Sequence, residues 1–118
     1  MLDFAATLRW RVTAYSAEGI SMIVRIWRGQ ATAKNADAYH RHVTESVFPT
    51  LEQISGHIAA YLLQRNTADR VEFLAVTLWE SIEAVKKFAG ADPDAAVVEA
   101  EARAVLVEFD DFARRVTI

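Results

Sequence analysis

The sequence predicts an α+β fold in which helices cover one face of a four-stranded antiparallel sheet, in the order β-α-β-β-α-β. Three observations carry that expectation. Four stretches place apolar and aromatic residues with a period of two, the signature of strands. Two intervening stretches recur at three and four, the period of helices. The polar run Asn66-Thr67-Ala68-Asp69-Arg70 is short enough to make the second and third strands an antiparallel hairpin. This is the split βαβ arrangement of ferredoxin-like folds, and it spans residues 22–118 as one domain.

Residues 71–80, VEFLAVTLWE, read as a central strand, because β-branched and aromatic residues occupy both of its faces. Leu74, Val76 and Leu78 form an aliphatic set suited to packing under helices. Phe73, Ala75, Thr77 and Trp79 form a mixed set suited to a partly polar cavity on the other face. Residues 22–30 make the first strand, with Val24 and Ile26 alternating against Arg25 and Trp27. Thr32 can cap the helix that follows, since its hydroxyl can accept a first-turn N–H. Ala36, Tyr39, Val43 and Val47 then form one apolar stripe over residues 33–47.

Pro49 disturbs that helix, residues 50–54 offer one more turn, and Gly56 permits the reversal into a strand over 57–65. There Ile58, Ala60 and Leu62 alternate with His57, Ala59, Tyr61 and Leu63. After the central strand, Ser81 stands where an N-cap is wanted, Glu83 suits the positive end of the helix dipole, and Lys86 and Lys87 suit the negative end before Gly90. Ile82, Val85 and Phe88 are its inward residues. Asp92-Pro93-Asp94 opens a loop, with a further helical piece through Ala102. Residues 103–109 read as the last long strand, and residues 115–118 as a short one.

Residues 1–21 stand apart. Arg9 and Arg11 fall where a secretory signal needs its apolar core, so the stretch does not read as a signal peptide. An over-long start and a helix that docks on the domain or a partner are both consistent with it. Net charge is −3, and the 13 lysines and arginines form no basic stripe, which excludes a phosphate-tracking nucleic-acid binder. There is no cysteine, so disulfides and thiolate chemistry are excluded, as expected of a cytoplasmic protein. No apolar run approaches the roughly 18 residues of a membrane span.

With these parities the face away from the helices carries Trp27, Tyr61, Phe73 and Trp79. Each ring presents roughly 150–250 Å², so together they reach the ~300–600 Å² that a soluble monomer exposes at most. The sequence therefore predicts a homodimer packed sheet to sheet, with a cavity in each subunit.

Met22-Ile23-Val24-Arg25-Ile26-Trp27-Arg28-Gly29, Ala36-Asp37-Ala38-Tyr39, the strand-to-helix run from Phe73 to Ser81 and Ala84-Val85-Lys86-Lys87-Phe88-Ala89-Gly90 resemble small proteins of the antibiotic biosynthesis monooxygenase-like family. The resemblance covers residues 22–118 and implies a dimeric α+β barrel. The family includes cofactor-independent oxygenases of phenols and quinols, and haem-degrading oxygenases. The haem-degrading pattern has a first-strand Asn, a Trp ending the third strand and a later His. Trp79 matches the Trp, but nothing among Val24, Arg25, Ile26 and Trp27 replaces the Asn, and no His follows His57. Relatives with this third-strand pattern end in a His-Tyr pair, where this chain has Arg114-Arg115-Val116.

A cofactor-free oxygenase needs a base, a partner for the substrate anion and a dry aromatic slot. The sequence offers His57 as base, Arg25 as anion partner and Trp79 as indole donor. Trp27, Tyr61, Phe73 and Thr77 are the substrate-binding walls. Each has a plainer reading: Trp79 and Phe73 as dimer packing, Arg25 as the partner of a carboxylate across the dimer, His57 as a solvated strand-start histidine. His40 and His42, two apart on a helix, point in different directions, so no metal site is expected, and no cofactor. The function expected is a cofactor-independent monooxygenase of a small aromatic, phenolic or quinol substrate, bound between helices and sheet or within the barrel. The alternative is a non-catalytic dimeric module that binds a small ligand or serves as a scaffold.

Overall fold

The computed structural model describes residues 22–118, and the expectations for residues 1–21 lie outside them. The elements run β1 (Ile23–Thr32), α1 (Ala36–His42), a π-helical turn (Val43–Val47), α2 (Phe48–Glu52), β2 (His57–Asn66), β3 (Arg70–Trp79), α3 (Ile82–Ala89), α4 (Ala100–Val105), β4 (Leu106–Phe109) and β5 (Arg114–Thr117). The sheet is antiparallel in the order β2-β3-β1-β4, with β5 also on β1. β4 pairs with residues 29–31 of β1 and β5 with residues 23–26, so the two share one edge of that strand in turn. This is the expected α+β, ferredoxin-like order with a fifth short strand. The last long strand starts later than expected, because residues 103–105 finish α4.

The first helix does not break at Pro49. Its apolar positions Tyr39, Val43, Val47 and Leu51 are each four apart, and on an α-helix every such step drifts by about 40°. The π turn takes up that drift: the Phe48 N–H reaches back five residues to the Val43 carbonyl. Pro49 then enters at the first turn of α2, where a missing N–H costs little. Thr32 is the last residue of β1, and its hydroxyl accepts the Asn35 N–H at 3.3 Å in the turn ahead of the helix. Ser81 caps α3 as expected, its side chain accepting from the Ala84 N–H.

The two faces of the sheet are the reverse of the sequence expectation. Arg25, Trp27, Gly29 and Ala31 of β1 are buried beneath the helices. Phe73, Thr77 and Trp79 of β3 are buried on the same side, with Trp79 and Phe73 fully enclosed. The register then places Val24, Ile26, Leu74, Val76 and Leu78 on the outer face, with Tyr61 opposite Val76. Of the four rings assigned to the outer face, Tyr61 alone is there, 55% exposed. Period-two patterning separates two faces without saying which one meets the helices. A buried indole needs a hydrogen-bond partner, and for Trp27 that partner, the Asp110 carbonyl, lies on the helix side. Trp79 carries its partner with it, since Thr77 is two residues back on the same face of β3. The outer face is left mainly aliphatic around Val24, Ile26, Leu74, Val76 and Leu78. Its polar end is Glu72, buried under Arg65 and Arg28, which bond its carboxylate at 2.7 and 2.5 Å.

Candidate active site between helices and sheet

A cavity of about 50 Å³ opens between the helix layer and β1 and β3. Its floor is Arg25, Trp27, Ala75 and Thr77, and its walls include Tyr39, His42 and Phe88. Residues 97–99 form its roof, in the segment between α3 and α4.

Arg25 joins floor to roof. Its Nε donates to the Pro93 carbonyl at 3.2 Å and its Nη2 to the Ala95 carbonyl at 2.6 Å. These bonds engage two of the five donors of a guanidinium, and the group also lies 5.5 Å over the Phe88 ring. Burial pulls the Arg25 pKa down, partly offset by Asp94. The same roof segment is pinned from the other side by Ala113 N–H to the Asp94 carbonyl and by Ala96 N–H to the Asp111 carbonyl.

Thr77 and Trp79 act as a unit. The Trp79 indole donates to Thr77 Oγ1 at 2.9 Å. Thr77 faces the cavity, whereas Trp79 lies behind it in a core with Leu51, Ala84 and Val85. Trp79 is therefore no free donor toward a ligand, and its contact with the site is through Thr77. Trp27 bonds the Asp110 carbonyl at 2.8 Å and lies across Gly29, where a Cβ would come within 2.9 Å of the ring. Glycine at 29 is what lets this indole lie flat along the floor.

The structure thus brings together Arg25, Trp27 and Thr77. Phe73 is packed behind Tyr39, ring centroids 4.7 Å apart. Tyr61 is on the opposite face of the sheet. His57 meets the far side of Trp79, ring centroids 5.0 Å apart, in a separate surface groove of about 340 Å³ with Phe48, Glu52 and Ala60. That groove is larger, but among the described residues no arginine or lysine lines it to meet a substrate anion. Arg25 lines the smaller cavity together with Thr77, Tyr39 and His42, so the smaller cavity is the better candidate for chemistry. Burial lowers the His57 pKa, against the opposing effects of the Ala59 backbone and the Glu52 charge.

Two cavity residues were not among the sequence candidates, Tyr39 and His42. Burial pushes the Tyr39 phenol well above its usual range, so it stays a neutral O–H at any working pH. His42 Nε2 faces Glu99 Oε1 across 3.9 Å. Both could have been found from spacing, since position 42 is three beyond Tyr39 and shares its helix face.

The family model for antibiotic biosynthesis monooxygenases matches residues 22–113. This chain belongs to that family. The family member has the same fold as a candidate antibiotic biosynthesis monooxygenase from Chloroflexus aurantiacus, with 17% identity, TM-score 0.54, and 82% of this chain and 90% of that one covered. It is also similar in fold to SnoaB, a cofactor-independent oxygenase from Streptomyces nogalater, at 11% identity and TM-score 0.53, covering 82% and 90%. Rv0793 from Mycobacterium tuberculosis is a third, at 13% identity and TM-score 0.53, covering 82% and 92%. No curated protein matches the chain. Among the described residues, no helix of this family member is long and apolar enough to cross a membrane.

Proposed function

We propose that this family member is a cofactor-independent monooxygenase that oxidises a small phenolic or quinol substrate in the helix-side cavity, as a homodimer closed over the outer sheet faces. The observation that carries the reading is the convergence of Arg25, Thr77, Tyr39 and His42 with the rings of Trp27 and Phe88 on one enclosed space. Chemistry of this kind begins with removal of the phenolic proton, which makes the ring electron-rich enough to react with O₂. His42, the imidazole that lines the cavity, is the proton acceptor in this reading, in place of His57. Arg25, and the Tyr39 O–H if the substrate brings it within reach, stabilise the resulting anion, an interaction that strengthens as water is excluded. Trp27 and Phe88 hold the aromatic ring. Family membership favours this chemistry, and SnoaB is a cofactor-independent oxygenase.

The size of the cavity favours a second reading. About 50 Å³ holds one or two waters at roughly 30 Å³ each, whereas ligand sites commonly run to about 300 Å³ and more. A substrate must therefore displace the roof at 97–99 or the Phe88 ring, and a module that binds a small ligand without turnover would look the same. Oxygen uptake against a panel of hydroquinones and anthrone-type phenols separates the two. Turnover lost in His42→Gln and Arg25→Met, with the fold intact, is the expected result. Saturable binding without oxygen uptake across the panel would establish the non-catalytic module instead.

A further inference from the structure

We infer that His42, Glu99 and Glu101 form a binding site for a first-row divalent cation of the zinc class at the mouth of the cavity. Their donor atoms all lie within 4.8 Å of one another. The separation from His42 Nε2 to Glu99 Oε1 is 3.9 Å. That is too long for a hydrogen bond, yet it is close to the roughly 3.3–3.6 Å between two donors on one tetrahedral ion with bonds of about 2.0–2.2 Å. Glu99 and Glu101 are exposed, so side-chain rotation can draw the donors together by the up to about one ångström that ligation requires.

A second observation is independent of that clustering. His42 Nε2 is buried and, among the described residues, accepts or donates no hydrogen bond, and its side chain keeps only 11% of its exposure. An enclosed imidazole nitrogen without a partner calls for an explanation, and a coordinated ion is one that also accounts for the two carboxylates beside it. Backbone geometry explains how residues two apart can act together. Glu99 precedes α4 in an extended conformation (φ −70, ψ 162), so the rule that helical positions i and i+2 diverge does not hold for Glu99 and Glu101.

One imidazole and two carboxylates, with no thiolate, make a borderline-to-hard donor set suited to Zn²⁺, Co²⁺ or Mn²⁺, with water completing the shell. Such an ion would bridge α1 to the start of α4 and so fasten the roof. A nitrogen that coordinates a cation cannot take a proton, so occupation and base catalysis at His42 exclude each other. The site therefore competes with the base role proposed for His42, and because its test reads metal binding and not turnover, its failure and that of the oxygenase reading are distinguishable.

The test is calorimetric titration of the full chain with Zn²⁺, with Co²⁺ absorption as a check on nitrogen and oxygen ligation. One ion per chain is expected. Affinity should fall at least about tenfold in each of His42→Gln, Glu99→Gln and Glu101→Gln, because even groups behind a metal's ligands typically matter that much. The two glutamate changes are at exposed positions and leave folding intact if His42→Gln does not. Absence of saturable binding, or affinity unchanged in Glu99→Gln and Glu101→Gln, would overturn the assignment.

Discussion

Replacing Val76 with aspartate tests whether the outer sheet face is an interface between two copies. Val76 is at the middle of β3, half-buried in the single chain, with Ile26 on one side and Tyr61 on the other. In the monomer the new carboxylate would meet water and cost little beyond the ~1 kcal/mol span of strand preferences. In a sheet-to-sheet dimer each copy would bury an unpaired charge, at roughly 3–5 kcal/mol. Taking only the lower figure, once per dimer, and about 1.4 kcal/mol per tenfold, the dimer should weaken by at least roughly a hundredfold. Sedimentation velocity across a concentration series reads this directly, with circular dichroism to confirm that Val76→Asp is folded. A wild-type chain that stays monomeric, or a variant that dissociates at the same concentration as wild type, would refute the argument.

Gly29→Ala should destabilise by about 1–3 kcal/mol, the usual consequence of overpacking, because the methyl would meet Trp27 at 2.9 Å and Leu106 at 3.4 Å. Urea denaturation together with the Trp27-dependent change in fluorescence checks it, and a shift under about 0.5 kcal/mol would contradict the packing account. Two groups should shape acid unfolding. His57 has a lowered pKa in the fold, so the unfolded chain binds more protons and stability declines as pH falls below the ordinary histidine value of 6.5. Glu72 is raised by burial but lowered more by its bonds from Arg65 and Arg28, so its contribution is present above the ordinary value of 4.5 and is lost as pH falls through its depressed folded pKa. Stability measured against pH should therefore lose its upper shoulder in His57→Gln and flatten at the acid end in Glu72→Gln.

Much of the fold was legible because its signals are local. Ser81 is both the residue wanted and the residue used as a cap, and the polar loop after Asn66 could only join an antiparallel pair. The facing of the sheet was not legible. Swapping Trp27, Phe73 and Trp79 for the aliphatic set satisfies the same alternation, and the deciding partner of Trp27, the Asp110 carbonyl, is 83 residues away. The candidate site was half legible for the same reason. Arg25, Trp27 and Thr77 were chosen as a mixed set and do converge, but on the helix side. Tyr39 was read as part of an apolar helix stripe and His42 only as half of a metal pair with His40, although their three-residue spacing puts both on one helix face.

The widened turn at Val43–Val47 makes chain length, as well as side-chain chemistry, a determinant of what the cavity contains. Such a turn holds one residue more than ordinary winding needs, so deleting one residue there would let the backbone relax to an α-helix with the flanking turns still facing as they do. Phe48 would keep its place on the cavity wall and Leu51 its place beside Trp79, while the helix would narrow between them and Tyr39. Among relatives of this protein, gain or loss of a single residue at this turn would thus alter the girth of the helix beside the pocket without turning its other residues away.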